Sequence, residues 1–216
     1  MNAKHSPRAI EAGFTVRLAE ARDYAAAYEV CLKTGDSGAD ATAIYEDPRA
    51  LGNIYVGPYL HLEPNLAHVL EDSQGVCGYA LAALNSADFY RAYLERWLPN
   101  VRASHPEPTG DSAGWSPTER IYHEYYHPEI YYPESFHGFP SHLHIDLLPR
   151  AQGKRQGRRM METLLYKLTR LGSPGVHLAM SIVNHRAERF YQRLGFHELA
   201  RVERGSPGTL YLGKRL

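Results

Sequence analysis

The chain has 216 residues, 44% of them hydrophobic, which is enough to bury a substantial core in one domain over residues 1–216. Its 24 Lys and Arg residues balance 24 Asp and Glu residues, which argues against a nucleic acid or an anionic membrane as partner. No apolar run reaches the ~20 residues that span a bilayer and no secretory signal opens the chain, so we expect a cytoplasmic protein.

The first half of the chain predicts two strands in a hairpin, a further strand and several helices. Residues 14–19 alternate as a strand, residues 24–33 have helical spacing, and residues 48–59 predict a short or bent helix. Residues 66–70 and 76–84 predict antiparallel strands joined by a turn. Residues 87–101 predict a helix with Phe89, Tyr93, Leu94 and Trp97 on one face, followed by a loop over residues 103–114.

The second half alternates strands and helices more regularly. Residues 142–148 and 176–183 predict strands, and residues 198–203 and 209–214 predict a closing strand pair. Residues 157–171 and 186–194 predict helices that end at Gly172 and Gly195. The apolar stripe of the first of these helices consists of Met161, Leu164, Leu165 and Leu168. This alternation predicts an α/β layered fold with a mixed sheet.

The loop between residues 149 and 157 has the features of an anion site. It presents successive backbone N–H groups at the start of a helix, where the helix dipole is positive. Lys154, Arg155, Arg158 and Arg159 add positive charge. The loop therefore predicts a diphosphate site, although a short basic turn of this kind is also compatible with an ordinary solvated surface.

Two ordered motifs resemble the GNAT N-acetyltransferase superfamily. The first is Leu147-Leu148-Pro149 followed by Gln152-Gly153-Lys154-Arg155-Gln156-Gly157, and the second is Asn184-x-x-Ala187-x-x-Phe190-Tyr191-x-x-x-Gly195-Phe196. The resemblance implies a central, mostly antiparallel twisted sheet flanked by helices, and acetyl transfer from acetyl-CoA to an amine. It implies a cofactor site of Leu147, Leu148, Gln152, Gly153, Lys154, Arg155, Gln156, Gly157, Arg158, Asn184 and Tyr191.

The resemblance also implies catalytic roles. The amine attacks the acetyl thioester directly, the backbone N–H near Leu147 polarises the carbonyl group, and Tyr191 protonates the departing thiolate. Asn184 binds the pantetheine or the chain after the strand, and a helix-capping role is an equal alternative. Asp146 is our choice of general base, with His144 as its alternative, although both residue types also occur as hydrogen-bonded groups of a strand.

A narrower resemblance is to the acetyltransferase-like C-terminal domain of animal O-GlcNAcase. It rests on residues 69–81, 132–136 and 139–141. That domain has degraded cofactor motifs and is regarded as a pseudo-acetyltransferase, whereas this chain keeps most of the loop. We interpret it as a bacterial-type, stand-alone relative that binds acetyl-CoA. Arg155 replaces a loop glycine of the family, which bears on affinity, and its side chain can instead clamp a phosphate group.

The concentration of Tyr and His over residues 122–144 indicates a cleft, and the Tyr-rich part of it over residues 122–139 predicts the acceptor groove. Four carboxylates, Glu119, Glu124, Glu129 and Glu134, would suit a cationic acceptor, and the alternative is a solvated face. The acceptor stays open between a protein amine, an antibiotic and a metabolite, and a homodimer stays open too. A protein that keeps the fold as a binding module without turnover is the main alternative function.

A third hypothesis comes from His123-Glu124-Tyr125-Tyr126-His127, which matches the H-E-x-x-H pattern of zinc peptidases. A capping box over residues 116–119 predicts that this motif lies on a helix. His142 or His144 would then be the third ligand. Such a match arises by chance in a chain with 12 His residues, so we predict no metal.

Overall fold

A seven-stranded sheet organises the computed structural model, which describes residues 13–203 and 207–216. The strands are β1 (Thr15–Leu18), β2 (Ala67–Asp72), β3 (Gly75–Ala83), β4 (Ser141–Leu147), β5 (Gly175–Ser181), β6 (His197–Val202) and β7 (Thr209–Arg215). Their spatial order is β1-β2-β3-β4-β5-β7-β6, and β4 with β5 is the parallel pair among otherwise antiparallel neighbours. The predicted mixed, mostly antiparallel sheet is confirmed.

Helices flank this sheet and connect its strands. They are α1 (Tyr24–Leu32), α2 (Gly52–Tyr55), α3 (Gly57–Leu62), α4 (Ser86–Ala92), α5 (Leu98–Arg102), α6 (Pro117–Tyr126), α7 (Gln156–Arg170) and α8 (His185–Arg193). None of the helices in the described ranges combines the length and apolar character that crossing a bilayer requires. Residues 1–12, part of the segment expected to carry no secretory signal, lie outside the described residues.

Helices α1 and α7 lie on opposite faces of the sheet. Tyr79 of β3 contacts Cys31 of α1, and His68 of β2 lies beside Lys167 of α7. The ladder pairs Tyr79 with Val69, the residue after His68. Because successive side chains of a strand point to opposite faces, Tyr79 and His68 lie on opposite faces of the sheet. The predicted apolar stripe of α7 is confirmed for Met161, Leu164 and Leu168, which are fully buried. Leu165 is half-buried against the core, and Met160 is a further buried residue of this helix.

The predicted bent helix over residues 48–59 is two short helices, α2 and α3. Each carries a glycine where another chain segment approaches closely. A Cβ atom on Gly52 would lie 2.3 Å from the ring of Tyr28, and one on Gly57 would lie 2.2 Å from the Tyr28 hydroxyl and 2.4 Å from Trp97. The two glycines therefore let the ring of Tyr28 pack directly against the α2–α3 backbone.

The helix predicted over residues 87–101 is interrupted, and the placement of one residue on its buried apolar face is wrong. A π-helical turn over Tyr93–Trp97 separates α4 from α5. Phe89 and Tyr93 are buried as predicted, but Leu94 is 39% exposed. A π-helical turn is wider than an α-helical one, so it shifts the residues that follow Tyr93 around the axis and away from the expected face.

Strands β4 and β5 pair briefly and then diverge. Their ladder joins Ser141 to Val176 and His142 to His177, and no later pair joins them in the described part of the chain. Both strands continue for several residues, to Leu147 and Ser181. The divergence opens the middle of the sheet.

Candidate functional site

A cavity of about 570 Å³ lies at the carboxyl end of β4, and we call it the basic cavity. Its lining includes Thr34, Ser37, Gly38, Ala39, Ile145, Asp146, Leu147, Gln152, Gly153, Arg155, Gly157, Arg158, Asn184, Arg186, Ala187, Phe190 and Tyr191. Three arginines and one carboxylate leave this lining with a positive charge. A polyanionic ligand is therefore favoured there.

The loop at the start of α7 is shaped by two residues with positive φ. Gly153 has φ 73°, and Arg155, the residue before α7, has φ 60° and ψ 1°. A residue with a Cβ atom in this left-handed region costs about 1 kcal/mol relative to glycine. Arg155 thus adopts the backbone conformation that a glycine allows. The first N–H groups of α7 face outward from the helix start, where anions bind.

Leu147 turns its backbone polar groups away from β3. Gly78 lies opposite Leu147, and the N–H group of Leu148 donates to Cys77 O at 2.8 Å. Because hydrogen-bonded and non-hydrogen-bonded pairs alternate along an antiparallel ladder, Leu147 occupies a non-hydrogen-bonded pair. Its carbonyl group accepts from Gln152 Nε2 at 2.7 Å, and its N–H group faces the side on which β5 has diverged.

Asp146 and His144 form one cluster with Tyr79. The Tyr79 hydroxyl donates to Asp146 Oδ2 at 2.6 Å and lies 3.0 Å from His144 Nε2. His144 Nε2 is also 3.1 Å from Asp146 Oδ2. Since the single phenol proton goes to the carboxylate, His144 presents Nε2–H to both oxygen atoms. The cluster holds Asp146, which lines the basic cavity, next to the divergence of the strands.

Tyr191 and Asn184 border the basic cavity from α8. Burial, with a smaller contribution from the charge of Asp146, raises the pKa of the Tyr191 phenol, so it remains a proton donor. Asn184 Oδ1 accepts from the Ala187 N–H group at 3.0 Å. The helix-capping alternative for Asn184 is therefore the arrangement in this structure, and its side chain still lines the cavity.

Three of the predicted cofactor residues lie outside the lining of the basic cavity. Leu148 and Gln156 are buried, and the Lys154 ammonium group lies 5.3 Å from the ring centroid of Phe14. Conversely, Ser37, Gly38 and Arg186 line the cavity and were missed. Residues 34–38 contain two glycines and so predict a break after the first helix, but nothing local connects this break to a loop more than a hundred residues away.

A second cavity of about 340 Å³, the tyrosine cavity, lies beside the middle of β4 and β5. Its lining includes Ile54, Tyr55, Tyr59, Phe89, Tyr90, Tyr93, Glu124, Pro128, Glu129, Ile130, Tyr131, His142, Leu143, His144, His177, Leu178, Ala179, Thr209 and Tyr211. Of the four carboxylates predicted in the acceptor groove, Glu124 and Glu129 line it. Glu119 instead caps α6 and Glu134 is exposed, so that part of the prediction is wrong.

The H-E-x-x-H motif lies on the last turn of α6 and ends at His127, the residue that follows the helix, while the predicted capping box starts the helix at Ser116. His123 and His127 share a face with ring centroids 4.4 Å apart, and His127 Nε2 is 2.6 Å from Glu107 Oε1. The ligand atoms of these three residues lie within 4.8 Å of one another. Glu124, however, lines the tyrosine cavity, as do the predicted third ligands on β4. The arrangement gives a zinc peptidase no support.

Comparison with known proteins agrees with this geometry. The sequence profile of the Acetyltransferase (GNAT) family matches residues 116–196. The crystal structure of SsHAT superposes with a TM-score of 0.86 and 39% identity, covering 94% of this chain and 98% of that one. The chain belongs to the GNAT acetyltransferase family. GNAT enzymes use acetyl-CoA, so acetyl-CoA is the cosubstrate that the family assigns to this chain.

The narrower resemblance is confirmed as well. Protein O-GlcNAcase of Rattus norvegicus is 29% identical over 204 residues, which cover 94% of this chain and 22% of that protein. The chain thus spans about a fifth of the length of the curated relatives it matches. A GNAT phosphinothricin acetyltransferase from Sinorhizobium meliloti, solved in complex with AcCoA, shares the fold at 17% identity and a TM-score of 0.56, with 94% of this chain and 89% of that one covered.

Proposed function

We propose that this GNAT chain acetylates an amine, with acetyl-CoA in the basic cavity. The observation that carries the proposal is the loop at the start of α7, where outward-facing N–H groups and the side chains of Arg155 and Arg158 meet at one cavity. Gln152, Gly153, Gly157 and the backbone of Lys154 and Gln156 would surround the diphosphate. Leu147, Asn184 and Tyr191, which line the cavity, would accompany the pantetheine toward the thioester.

The proposed reaction is a direct transfer. The ammonium group of the acceptor loses a proton to Asp146, and the neutral nitrogen attacks the thioester carbonyl carbon. The N–C bond forms, the Leu147 N–H group stabilises the developing oxyanion, and the C–S bond breaks. The thiolate takes the proton of Tyr191, whose raised pKa keeps it a donor until the sulfur becomes basic. The attacking nitrogen is cationic once the N–C bond has formed, and it loses its second proton as the C–S bond breaks. That proton returns Tyr191 to its starting state through solvent, and Asp146 releases the proton that it accepted to solvent.

Calorimetric titration with acetyl-CoA tests the proposal. We expect saturable micromolar binding to the native chain. Reversing two charges with Arg155→Glu and Arg158→Glu should weaken it by about 100-fold, because two charge-assisted contacts are lost. The matched control, Arg120→Glu with Arg193→Glu, reverses two exposed arginines outside the cavity and should leave the affinity within about twofold.

The outcomes separate enzyme from binding module. Absence of binding at millimolar acetyl-CoA would refute the proposed site. Binding with no acetylation of any amine in a broad acceptor screen would leave the cosubstrate site standing and refute turnover, which is the pseudo-enzyme alternative.

A further inference from the structure

The carboxylate of Glu124 faces the tyrosine cavity without a cationic partner. Across residues 13–203 and 207–216, no side chain forms an ion pair or hydrogen bond with it, and no Lys or Arg lines this cavity. Glu129 adds a second carboxylate to the same lining. Glu124 is half-buried, and withdrawing a carboxylate from water is costly unless a cation or a hydrogen-bond donor accompanies it. The described lining of the cavity therefore offers no positive charge to balance the Glu124 carboxylate.

His142 provides a second acceptor without a donor. Ser86 Oγ donates to Pro140 O at 2.8 Å and lies 2.7 Å from His142 Nδ1. Pro140 O can only accept, so the hydroxyl proton goes to it and His142 Nδ1–H must donate to Ser86 Oγ. Burial lowers the pKa of His142, which keeps the ring neutral. Its Nε2 atom is then a bare acceptor, and it is buried without a partner among the described residues.

The position of Glu124 is fixed by the residue that follows it. Tyr125 is fully buried, and its hydroxyl donates to Ala50 O at 2.8 Å and lies 3.3 Å from Asn53 Nδ2. The Ser116 capping box holds the other end of α6. The segment between β3 and β4 thus delivers Glu124 to the cavity on an anchored helix.

Two side chains separate Glu124 from the proposed reaction centre. The charge of Glu124 is the largest cause of the raised pKa of Tyr55, which places the carboxylate beside that phenol. The ring of Tyr55 stacks on His144 at 5.7 Å, and His144 contacts Asp146. A group of the ligand that binds at Glu124 and a nitrogen atom that reaches Asp146 therefore occupy two separate positions.

We propose that the tyrosine cavity binds one ammonium group of an aliphatic diamine, whose other amine is the one acetylated. The acetylation of the second amine rests on the proposed function. An ammonium group supplies the N–H donors that Glu124 and His142 Nε2 lack. The six tyrosine rings of the lining supply faces for cation–π contacts and an apolar wall for the methylene chain.

The first experiment measures binding in the absence of acetyl-CoA. Calorimetric titration at pH 8 compares 1-aminopentane, which is an ammonium ion, with 1-pentanol, which has the same chain and no charge. We expect the amine to bind at least about tenfold more tightly than the alcohol. Glu124→Gln should remove that preference, whereas Glu134→Gln, an exposed carboxylate outside the cavity, should retain it. Equal binding of amine and alcohol, or an unchanged preference in Glu124→Gln, overturns the site.

The second experiment measures acetylation. With saturating acetyl-CoA, kcat/KM for 1,5-diaminopentane should exceed that for 1-aminopentane by about tenfold or more, and Glu124→Gln should abolish the difference. Equal values in the native chain overturn the role of the second nitrogen. The binding experiment needs no cosubstrate, so it tests the ammonium site even if acetyl-CoA does not bind. Failure of acetyl-CoA to bind would refute the proposed function alone. Unchanged acetyl-CoA affinity in Glu124→Gln shows that the variant is folded.

Discussion

The basic cavity and the tyrosine cavity share strand β4, yet they favour ligands of opposite charge. Three arginines line the first, whereas the second has two carboxylates and no Lys or Arg in its described lining. Asp146 borders the first and His144 the second, and their side chains touch at 3.1 Å. The divergence of β4 from β5 thus gives one sheet two adjacent sites, one suited to a polyanion and one to a cation.

The two cavities are also built differently. The basic cavity takes most of its lining from one continuous stretch, residues 145–158, and from residues 184–191 of α8 and its cap. The tyrosine cavity draws on six separated segments, including one from the connection between α1 and β2 and two from the connection between β3 and β4. A site of the first kind leaves a motif in the sequence, whereas a site of the second kind exists only after the chain has folded.

The largest expected effect concerns the acid at the basic cavity. Tyr191→Phe removes the proton donor and should lower kcat by about 100-fold, because general acid catalysis contributes at least that much. The KM for acetyl-CoA should stay within about twofold, since the ring keeps its packing against Phe196. Steady-state kinetics with both substrates varied provides the measurement. An unchanged kcat would assign the proton transfer to another group.

A second prediction concerns the charge of the tyrosine cavity. Burial, and secondly the charge of Glu129, raises the pKa of Glu124 from 4.5 to about 7. The folded state therefore binds this proton more tightly than the unfolded state. The stabilisation is complete below pH 4.5 and is lost as the pH rises to about 7. Above pH 7, Glu124→Gln should be more stable than the native chain by up to about 3 kcal/mol.

Urea unfolding at pH 5 and pH 8 measures this difference. The advantage of Glu124→Gln over the native chain should grow between the two pH values, while Glu134→Gln should show no such growth. If Glu124→Gln has the same pH dependence as the native chain, the Glu124 carboxyl group is solvated rather than buried.

The third prediction tests the strain at Arg155. Arg155→Gly should raise the free energy of unfolding by about 1 kcal/mol, because glycine adopts positive φ without a Cβ penalty. The same change should weaken acetyl-CoA binding about tenfold through the lost cation. Arg155→Lys keeps both the charge and the strain, so its stability should match the native chain. Thermal unfolding and calorimetry distinguish the two effects.

The smallest expected effect is at Asn184. Asn184→Ala removes the acceptor that caps α8 and should cost about 0.5–1 kcal/mol, whereas Asn184→Asp keeps an acceptor and should cost less. If both variants also bind acetyl-CoA like the native chain, Asn184 acts on the helix alone. A loss of affinity in Asn184→Asp at unchanged stability would instead reveal a contact from its amide group to the ligand.

Local patterns predicted most of the fold correctly. The hairpin of β2 and β3, the helix α7 with its stop at Gly172, and the capped start of α6 were all visible, because turn glycines, apolar periodicity and capping boxes act within a few residues. The exposure of Leu94 was not visible. It depends on a π-helical turn over Tyr93–Trp97, which the apolar periodicity of the segment does not reveal.

The sequence by itself determined the GNAT motifs, the alternation of strands and helices, and the loop whose charge and backbone suit a diphosphate. Only the tertiary structure decided that Glu124 faces tyrosine rings, whereas the sequence already predicted that Glu119, on the same helix, takes part in its capping box. The physical reason is that charge and conformation at a helix start are set by neighbours along the chain, whereas burial of a carboxylate depends on which distant segments pack against it.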